Sequence, residues 1–333
     1  MEQIRCAVIG LGWFGEHHVD TLNELPLADL RAVCTRTESR LKEIAEKYNV
    51  RKTYTDYKEL LADPEIDMVT ITTHTKDHLV PALDALKAGK HVFLEKPMSD
   101  TTENCKKIIA AAKETDKSFM VGHICRFDTA YALAKEEIAA GNVGRILSMH
   151  AKRNLPGWVT ESNLQKVSAM VGDGVHDLDL MFWFSEAKPV SVYAQTRKTR
   201  DTIKYDDVSW SMFTLDNGAI AVVETVWALA DNSPYAIDAV LEVIGTKGTI
   251  TIDNTGSNFS VIKKEGYQCP QSTYWPKVHN FRRGYLKEEL DYFLKCASRG
   301  KRPDVITPEE SMAVITAFEK AEESAQKNEV VFF

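Results

Sequence analysis

Two stretches of this chain carry side chains whose types and spacing suit proton and oxyanion chemistry. The first is Lys90-His91-Val92-Phe93-Leu94-Glu95-Lys96-Pro97. Val92, Phe93 and Leu94 form an apolar run of the kind found in a buried parallel strand, and Pro97, lacking a backbone donor, ends it. Glu95 and Lys96 are then left at the carboxyl end of a strand, where open α/β sheets bind their ligands. A lysine there can hold its ammonium against negative charge on a substrate oxygen, or shed its proton if desolvated. A surface ion pair closing a strand is the alternative reading.

The second stretch is Gly172-Asp173-Gly174-Val175-His176-Asp177-Leu178-Asp179-Leu180-Met181-Phe182-Trp183. On a helix Asp173, His176 and Asp177 share a face, and His176 and Asp179 are three apart. An imidazole held by a carboxylate accepts a proton near neutral pH. Lys96 and His176, with Asp173 or Asp177 beside the histidine, are therefore the candidate catalytic groups. A helix start whose acids favour the dipole is one alternative. A metal site is another, but the three acids cannot converge on one point with the imidazole, so no metal is expected.

These groups need a scaffold. Residues 4–9 read as a short apolar strand, followed at once by Gly10-Leu11-Gly12-Trp13-Phe14-Gly15 and a helical stretch to about Glu24. G-x-G-x-x-G between a strand and a helix is the setting in which a glycine turn lets backbone N–H groups and a helix N-terminus face a pyrophosphate. The next strand, Leu30–Cys34, ends in Thr35-Arg36 with Arg40 one turn on, where an NAD-type site would carry an acid. A hydroxyl with guanidinium groups suits a 2′-phosphate, so the expected cofactor is NADP or NAD, with NADP favoured. Strands and helices then alternate to about residue 121, which predicts a doubly wound parallel sheet. Beyond His123 the rhythm changes. Strands near 145–153, 190–197, 207–215, 218–227, 239–245, 248–253 and 258–263 predict a large open sheet, mostly antiparallel, with helices at about 128–140, 174–184, 283–298 and 308–327. The expected domains are 1–123 and 124–333, with helix 308–327 packing back on the first.

Composition narrows the class. The 333 residues suit two domains, and hydrophobic and charged fractions of 44% and 27% are ordinary for a globular chain. A net charge of −7 without a basic run argues against a nucleic-acid partner. The six cysteines have no C-x-x-C or paired spacing, and no apolar run approaches the length needed to cross a membrane. A cytoplasmic protein is expected.

Taken together, Gly10-x-Gly12-x-x-Gly15, the run Ala88-Gly89-Lys90-His91-Val92-x-x-Glu95-Lys96-Pro97, and His176 with Asp177 and Asp179 resemble the glucose–fructose oxidoreductase/inositol dehydrogenase/rhizopine-catabolism family over essentially the whole chain. The resemblance implies a pyridine-nucleotide oxidoreductase acting on a sugar, a polyol or a sugar derivative. It places Lys96 by the nicotinamide and on the reacting oxygen, Glu95 near the nicotinamide ribose, and His176 as acid/base. It implies cofactor contacts from Thr73 and His78, and an approach to substrate or cofactor by Arg126, foremost as a substrate contact. Arg153, Asn154 and Trp158, after the first strand of the second domain, are candidates for substrate hydroxyls. Two departures stand out. Gly172 occupies the position where the family often has an aspartate four residues before its histidine. Thr73-His74-Thr75-Lys76-Asp77-His78 stands where it tends to have Thr-Pro-Asn-x-x-His. Relatives also include redox-neutral glycosidases, and a nucleotide-sensing regulator is a third reading. A homo-oligomer, dimer or tetramer, is expected, with Ala239, Leu241, Val243, Ile250 and Ile252 supplying a face.

Overall fold

The computed structural model describes residues 2–255, 259–264 and 266–333, and the chain divides into two compact units. The first half of the chain runs Ile4–Ile9 (β1), Trp13–Leu22 (α1), Ala28–Cys34 (β2), Glu38–Tyr48 (α2), Lys52–Tyr54 (β3), Tyr57–Ala62 (α3), Met68–Ile71 (β4), Leu79–Lys87 (α4), His91–Glu95 (β5), Thr102–Lys113 (α5) and Phe119–Gly122 (β6). The six strands pair in parallel in the order β3-β2-β1-β4-β5-β6. Cys6, Ala7, Val8, Val69, Val92, Phe93 and Leu94 are wholly buried. Helices covering both faces explain why these strands read as continuous apolar runs rather than alternating ones. The strand order reverses between β1 and β4, the kind of point at which such sheets open a crevice for a ligand. Gly10, Thr72 and Lys96 stand at or just past the carboxyl ends of β1, β4 and β5, three strands adjacent in the sheet.

The second half runs Thr129–Ala139 (α6), Ile146–Asn154 (β7), Gly157–Thr160 (α7), Ala169–Gly172 (α8), Gly174–Ser185 (α9), Pro189–Arg197 (β8), Val208–Leu215 (β9), Ile220–Val226 (β10), Asp238–Gly245 (β11), Thr249–Asp253 (β12), Val261–Lys263 (β13), Gly266–Gln268 (β14), Lys277–Val278 (β15), Phe281–Arg282 (β16), Tyr285–Ser298 (α10), Pro308–Lys327 (α11) and Val331–Phe332 (β17). Seven strands form one sheet, β12-β11-β7-β10-β9-β8-β17, antiparallel except where β10 runs parallel to β7. The strand expected at 258–263 starts at Asn258, outside the described residues; Val261–Lys263 pairs instead with β14 in a separate hairpin. Along β9 the buried Ser209, Ser211, Phe213 and Leu215 alternate with exposed Trp210 and Met212. The buried face is covered by α9, which packs on β7 and β10.

That register corrects one expectation. Ala239, Leu241 and Val243 pair with Arg153, Ala151 and Met149 and have no exposed area, so they face the core rather than a second copy. The open face carries the opposite set, including His150, Trp210, Met212, Glu242 and Ile244.

The division of the chain also departs from a boundary at 123. Tyr274–Met312 belongs with Met1–Phe127, and Asp128–Thr273 with Ala313–Phe333. Phe293 of α10 meets Phe93 edge-on at 5.6 Å. Lys277 and Arg282 both pair with Asp20 of α1, at 2.8 and 2.6 Å. Helix α11, expected to pack back on the first domain, starts in the first unit and continues in the second. All six cysteines are free thiols. Among the described residues no helix is long and apolar enough to cross a membrane.

Candidate functional site

The glycine turn is built as its spacing predicts. Gly10 adopts φ +97°, and a Cβ there would sit 2.9 Å from the backbone of Thr72 and Thr73. A Cβ on Gly15 would fall 2.0 Å from Gly10 O, so strand and helix approach as only glycine permits. Gly12 differs: a Cβ there would meet nothing within 4 Å. Its residue type answers to nothing within the chain, and it is the N-cap of α1, where no side chain caps the first turn. Open space at a helix N-terminus with uncapped N–H groups fits a dinucleotide pyrophosphate. Thr72 Oγ1 donates to Gly10 O at 2.6 Å and ties the turn to the end of β4.

Around the turn the structure redistributes several expected cofactor contacts. Arg40 Nε donates to Leu11 O at 3.0 Å, and its guanidinium also pairs with Glu43 and Glu16. Lys47 and Tyr48 donate to the same Glu16 at 2.6 and 3.0 Å. Burial works to raise the Glu16 carboxyl, but these hydrogen bonds outweigh it and hold it at about 2. Arg40 therefore braces the turn and is not placed to meet a 2′-phosphate. Arg36 is different: its side chain is 90% exposed, with Asp77 at 3.9 Å. Thr35 beside it donates its N–H to Tyr54 O at 3.2 Å. Trp13, two-thirds exposed, and Phe14 stand with His17 around Trp275, at centroid separations of 5.3 to 5.5 Å.

Lys96 follows β5 and is partly buried. Its neighbour Glu95 points inward. Glu95 Oε1 lies 2.9 Å from Nε2 of the fully buried His18, and Oε2 accepts the Lys96 backbone N–H at 3.1 Å. With both oxygens engaged and 6% of the residue exposed, Glu95 is a strut beneath Lys96 rather than a ribose ligand. His78 is likewise internal: its ring nitrogens lie 2.9 Å from Pro97 O and 3.0 Å from Thr73 O. Burial lowers its pKa, and it joins the Thr73 loop to the Lys96-Pro97 turn instead of reaching a cofactor. Thr73 Oγ1 donates to Asp77 O at 3.2 Å. Arg126, expected on substrate, is 3% exposed and donates to Val305 O at 2.7 Å and Glu310 at 3.0 Å. A buried guanidinium must be paired, and these bonds hold it in the fold.

In the second unit, His176 stands in the first turn of α9 with Asp173 at its N-cap, Asp173 Oδ1 lying 3.9 Å from His176 Nε2. Both oxygens of Asp177, the other acid expected beside the imidazole, are engaged by a guanidinium. They take a bidentate pair from Arg153, at 3.0 and 2.8 Å, with both side chains almost wholly buried. Burial pushes the Asp177 carboxyl up against the pull of that guanidinium. The same pair removes Arg153 from the substrate candidates. Asn154 leaves them too: its amide donates to Glu224 and accepts the Val226 N–H, both at 2.8 Å. Trp158, on α7, is 65% exposed and stays a candidate for a sugar face. Among the described residues no group of three or more His, Cys, Asp or Glu is placed to hold a metal ion.

Two residues with a part in these sites were not singled out from sequence: Thr72 and His18. The available signal was His18, a histidine one turn past the third glycine on the buried face of α1.

The model of an oxidoreductase family with an NAD-binding Rossmann fold, GFO/IDH/MocA, matches residues 4–123, and that of the GFO/IDH/MocA C-terminal domain matches residues 131–251. A scyllo-inositol 2-dehydrogenase (NAD(+)) of Bacillus subtilis is 31% identical over 320 residues, 91% of this chain and 89% of that protein. A myo-inositol 2-dehydrogenase of Thermotoga maritima is 28% identical over 332 residues, 98% of each. Among solved structures, scyllo-inositol dehydrogenase from Lactobacillus casei with bound NAD(H) and scyllo-inositol superposes with a TM-score of 0.87 over 99% of each chain; at 23% identity that likeness speaks for the fold. The glycine turn, the reversal of strand order beside it and these matches over most of the sequence lead to one conclusion: the chain belongs to the GFO/IDH/MocA family of oxidoreductases, with their NAD-binding Rossmann fold.

Proposed function

We propose that this enzyme moves a hydride between a nicotinamide dinucleotide and the secondary alcohol or ketone of a sugar, a sugar derivative or an inositol-like polyol. The observation that carries the reading is the sheet order. Adjacent strand ends hold the glycine turn, Thr72-Thr73 and Lys96 at one edge of the first unit. The similarity to inositol dehydrogenases supports the substrate class. The first unit takes the nucleotide; the second takes the substrate and self-associates.

Oxidation of an alcohol separates a hydride on carbon from a proton on oxygen. The nicotinamide, when bound, supplies the hydride acceptor, and the donor in the reverse direction. His176 takes the hydroxyl proton. The Lys96 ammonium stabilises the negative charge that develops on the oxygen, and Glu95, held by His18, fixes the backbone from which Lys96 projects. The N–H groups from Gly12 to Gly15 receive the pyrophosphate. Thr35 and Arg36, with no acid at the end of β2, support a preference for NADP over NAD, now without Arg40. The six free cysteines suit a reducing, cytoplasmic setting.

Fluorescence titration with NADPH and NADH, followed by a panel of inositols, sugars and keto-sugars read at the nicotinamide absorbance, tests this reading. Micromolar nucleotide binding with net turnover of a polyol or sugar is expected. Binding without net redox change on any compound, or no binding, contradicts it.

A further inference from the structure

Asp20 lies in the second half of α1 and is 5% exposed, a setting in which a carboxylate is tolerated only when cations meet it. The two cations that meet it come from one hairpin remote in sequence. Lys277 and Arg282 pair across β15 and β16, joined by His279-Asn280, both at positive φ as a type I′ turn requires. Lys277 Nζ reaches the two Asp20 oxygens at 3.0 and 2.8 Å, and Arg282 Nε donates to Oδ2 at 2.6 Å. The backbone N–H of Arg282 donates to Glu24 at 2.6 Å. Residues 274–283 are thereby strapped along α1.

The strap reaches the glycine turn. Arg282 also donates to Trp275 O at 2.6 Å, which fixes the backbone of Trp275 where its ring meets Trp13, Phe14 and His17. Trp13 follows Gly12 directly, beside the open N–H groups of the first helical turn, and two-thirds of it is exposed. Phe14 touches both Trp275 and His18, at 5.3 and 5.1 Å. His18 holds Glu95, whose other oxygen takes the Lys96 N–H. A line of packed rings thus joins the strap to the carboxyl end of β5. With Lys96 on the reacting oxygen, the nicotinamide half of a dinucleotide lies at that end of the turn. An indole face attracts a cation, and the oxidised nicotinamide ring is one. Burial, with Arg282 nearby, lowers His17 to about 4, so the imidazole stacked on Trp275 adds no opposing charge at neutral pH.

We propose that the strap 274–283 positions the cofactor: clamped on Asp20, it sets Trp275 beside Trp13 as an aromatic wall for the nicotinamide half of the bound dinucleotide. The proposal rests on the oxidoreductase reading above and adds to it a segment from the far end of the chain. Such a wall gives affinity to the nicotinamide end alone and leaves the pyrophosphate to the glycine turn. Asp20 acts through Trp275 and is a positioning residue.

ADP-ribose and its 2′-phosphate carry the adenosine and pyrophosphate of NADH and NADPH without the nicotinamide, so calorimetric titration with all four separates the two halves. Trp275→Ala is expected to weaken NADH and NADPH about tenfold and the two truncated nucleotides less than about twofold. Trp275→Phe, which keeps a ring on His17, is expected to recover most of the loss. Asp20→Asn is expected to repeat the selective loss, and to add less than about twofold in a Trp275→Ala background. Where Asp20→Asn fails to fold, Trp275→Ala, at a half-buried position, decides alone. A second readout is energy transfer: exciting tryptophan is expected to sensitise emission from bound NADH, and Trp13→Phe with Trp275→Phe to remove most of it. Equal weakening of whole and truncated nucleotides by Trp275→Ala, weakening of neither, or undiminished transfer in the double variant would overturn the proposal and leave the oxidoreductase reading standing. Wild-type protein that binds none of the four would overturn both.

Discussion

At the scale of single residues, the first unit sets a buried polar pair beneath its candidate catalytic lysine. His18 has no exposed area and Glu95 almost none. Removing one partner of such a pair leaves the other desolvated and unmatched, at about 1–3 kcal/mol and more if it is charged. His18→Ala is therefore expected to lower the thermal midpoint by several degrees in calorimetry and to reduce kcat more than it weakens nucleotide binding; an unchanged midpoint contradicts the role given to the pair. The proposed preference for NADP is tested most simply at Arg36. Arg36→Asp is expected to weaken NADPH about tenfold or more while NADH binding changes less than about threefold, measured by fluorescence titration. Equal effects on both nucleotides would show that Arg36 does not read the 2′-phosphate. Residue identity and spacing made the glycine turn legible in the sequence and marked Lys96 and His176 as candidates. It did not show which polar groups satisfy one another. Arg40, Arg126, Arg153 and Asn154 have the right chemistry for ligands, but their partners, Glu16, Glu310, Asp177 and Glu224, are brought to them only by folding.

At the scale of elements, β1 to β6 and their helices follow from apolar runs and glycine punctuation, because a strand covered on both faces has one pattern to show. The antiparallel sheet alternates clearly, but alternation does not say which set faces in. Ala239, Leu241 and Val243 lie inside because β11 pairs with β7 under α9, a pairing remote in sequence. Helix α1 supplies a pH prediction. Burial, with Arg282 nearby, lowers His17 from 6.5 to about 4. Between those values the unfolded chain binds a proton that the fold refuses, so the stability His17 contributes is complete above pH 6.5 and is lost as pH falls toward 4. Burial lowers His78 and His91 as well, which adds loss in the same direction. His17→Phe preserves ring stacking on Trp275 and is expected to make the fall in thermal midpoint between pH 7 and 4.5 shallower. An identical fall in both proteins would contradict the assignment. Glu16 adds its own loss only below about pH 4.5, as its carboxylate protonates toward 2.

At the scale of the whole molecule, the division of the chain was the least legible feature. Composition does not change at residue 274, and Phe293, Arg282 and Arg126 reveal their partners only in three dimensions. The open face of the large sheet carries Trp210 and Met212 at 45% and 48% exposure, with Ile244 at 49%. Apolar side chains gathered on one sheet face support association with a second copy. Light scattering on the wild type is expected to give a dimer or tetramer, and Trp210→Glu with Met212→Glu a smaller species; a monomeric wild type contradicts this. In the proposed reaction Lys96 bears on the reacting oxygen more than on nucleotide affinity. The most direct measurement is single-turnover hydride transfer by Lys96→Ala beside the wild type, at saturating nucleotide and with nucleotide affinity determined on the same samples. A loss of about a thousandfold in the transfer rate, with affinity within about threefold, is the predicted result; wild-type transfer by Lys96→Ala would contradict the account.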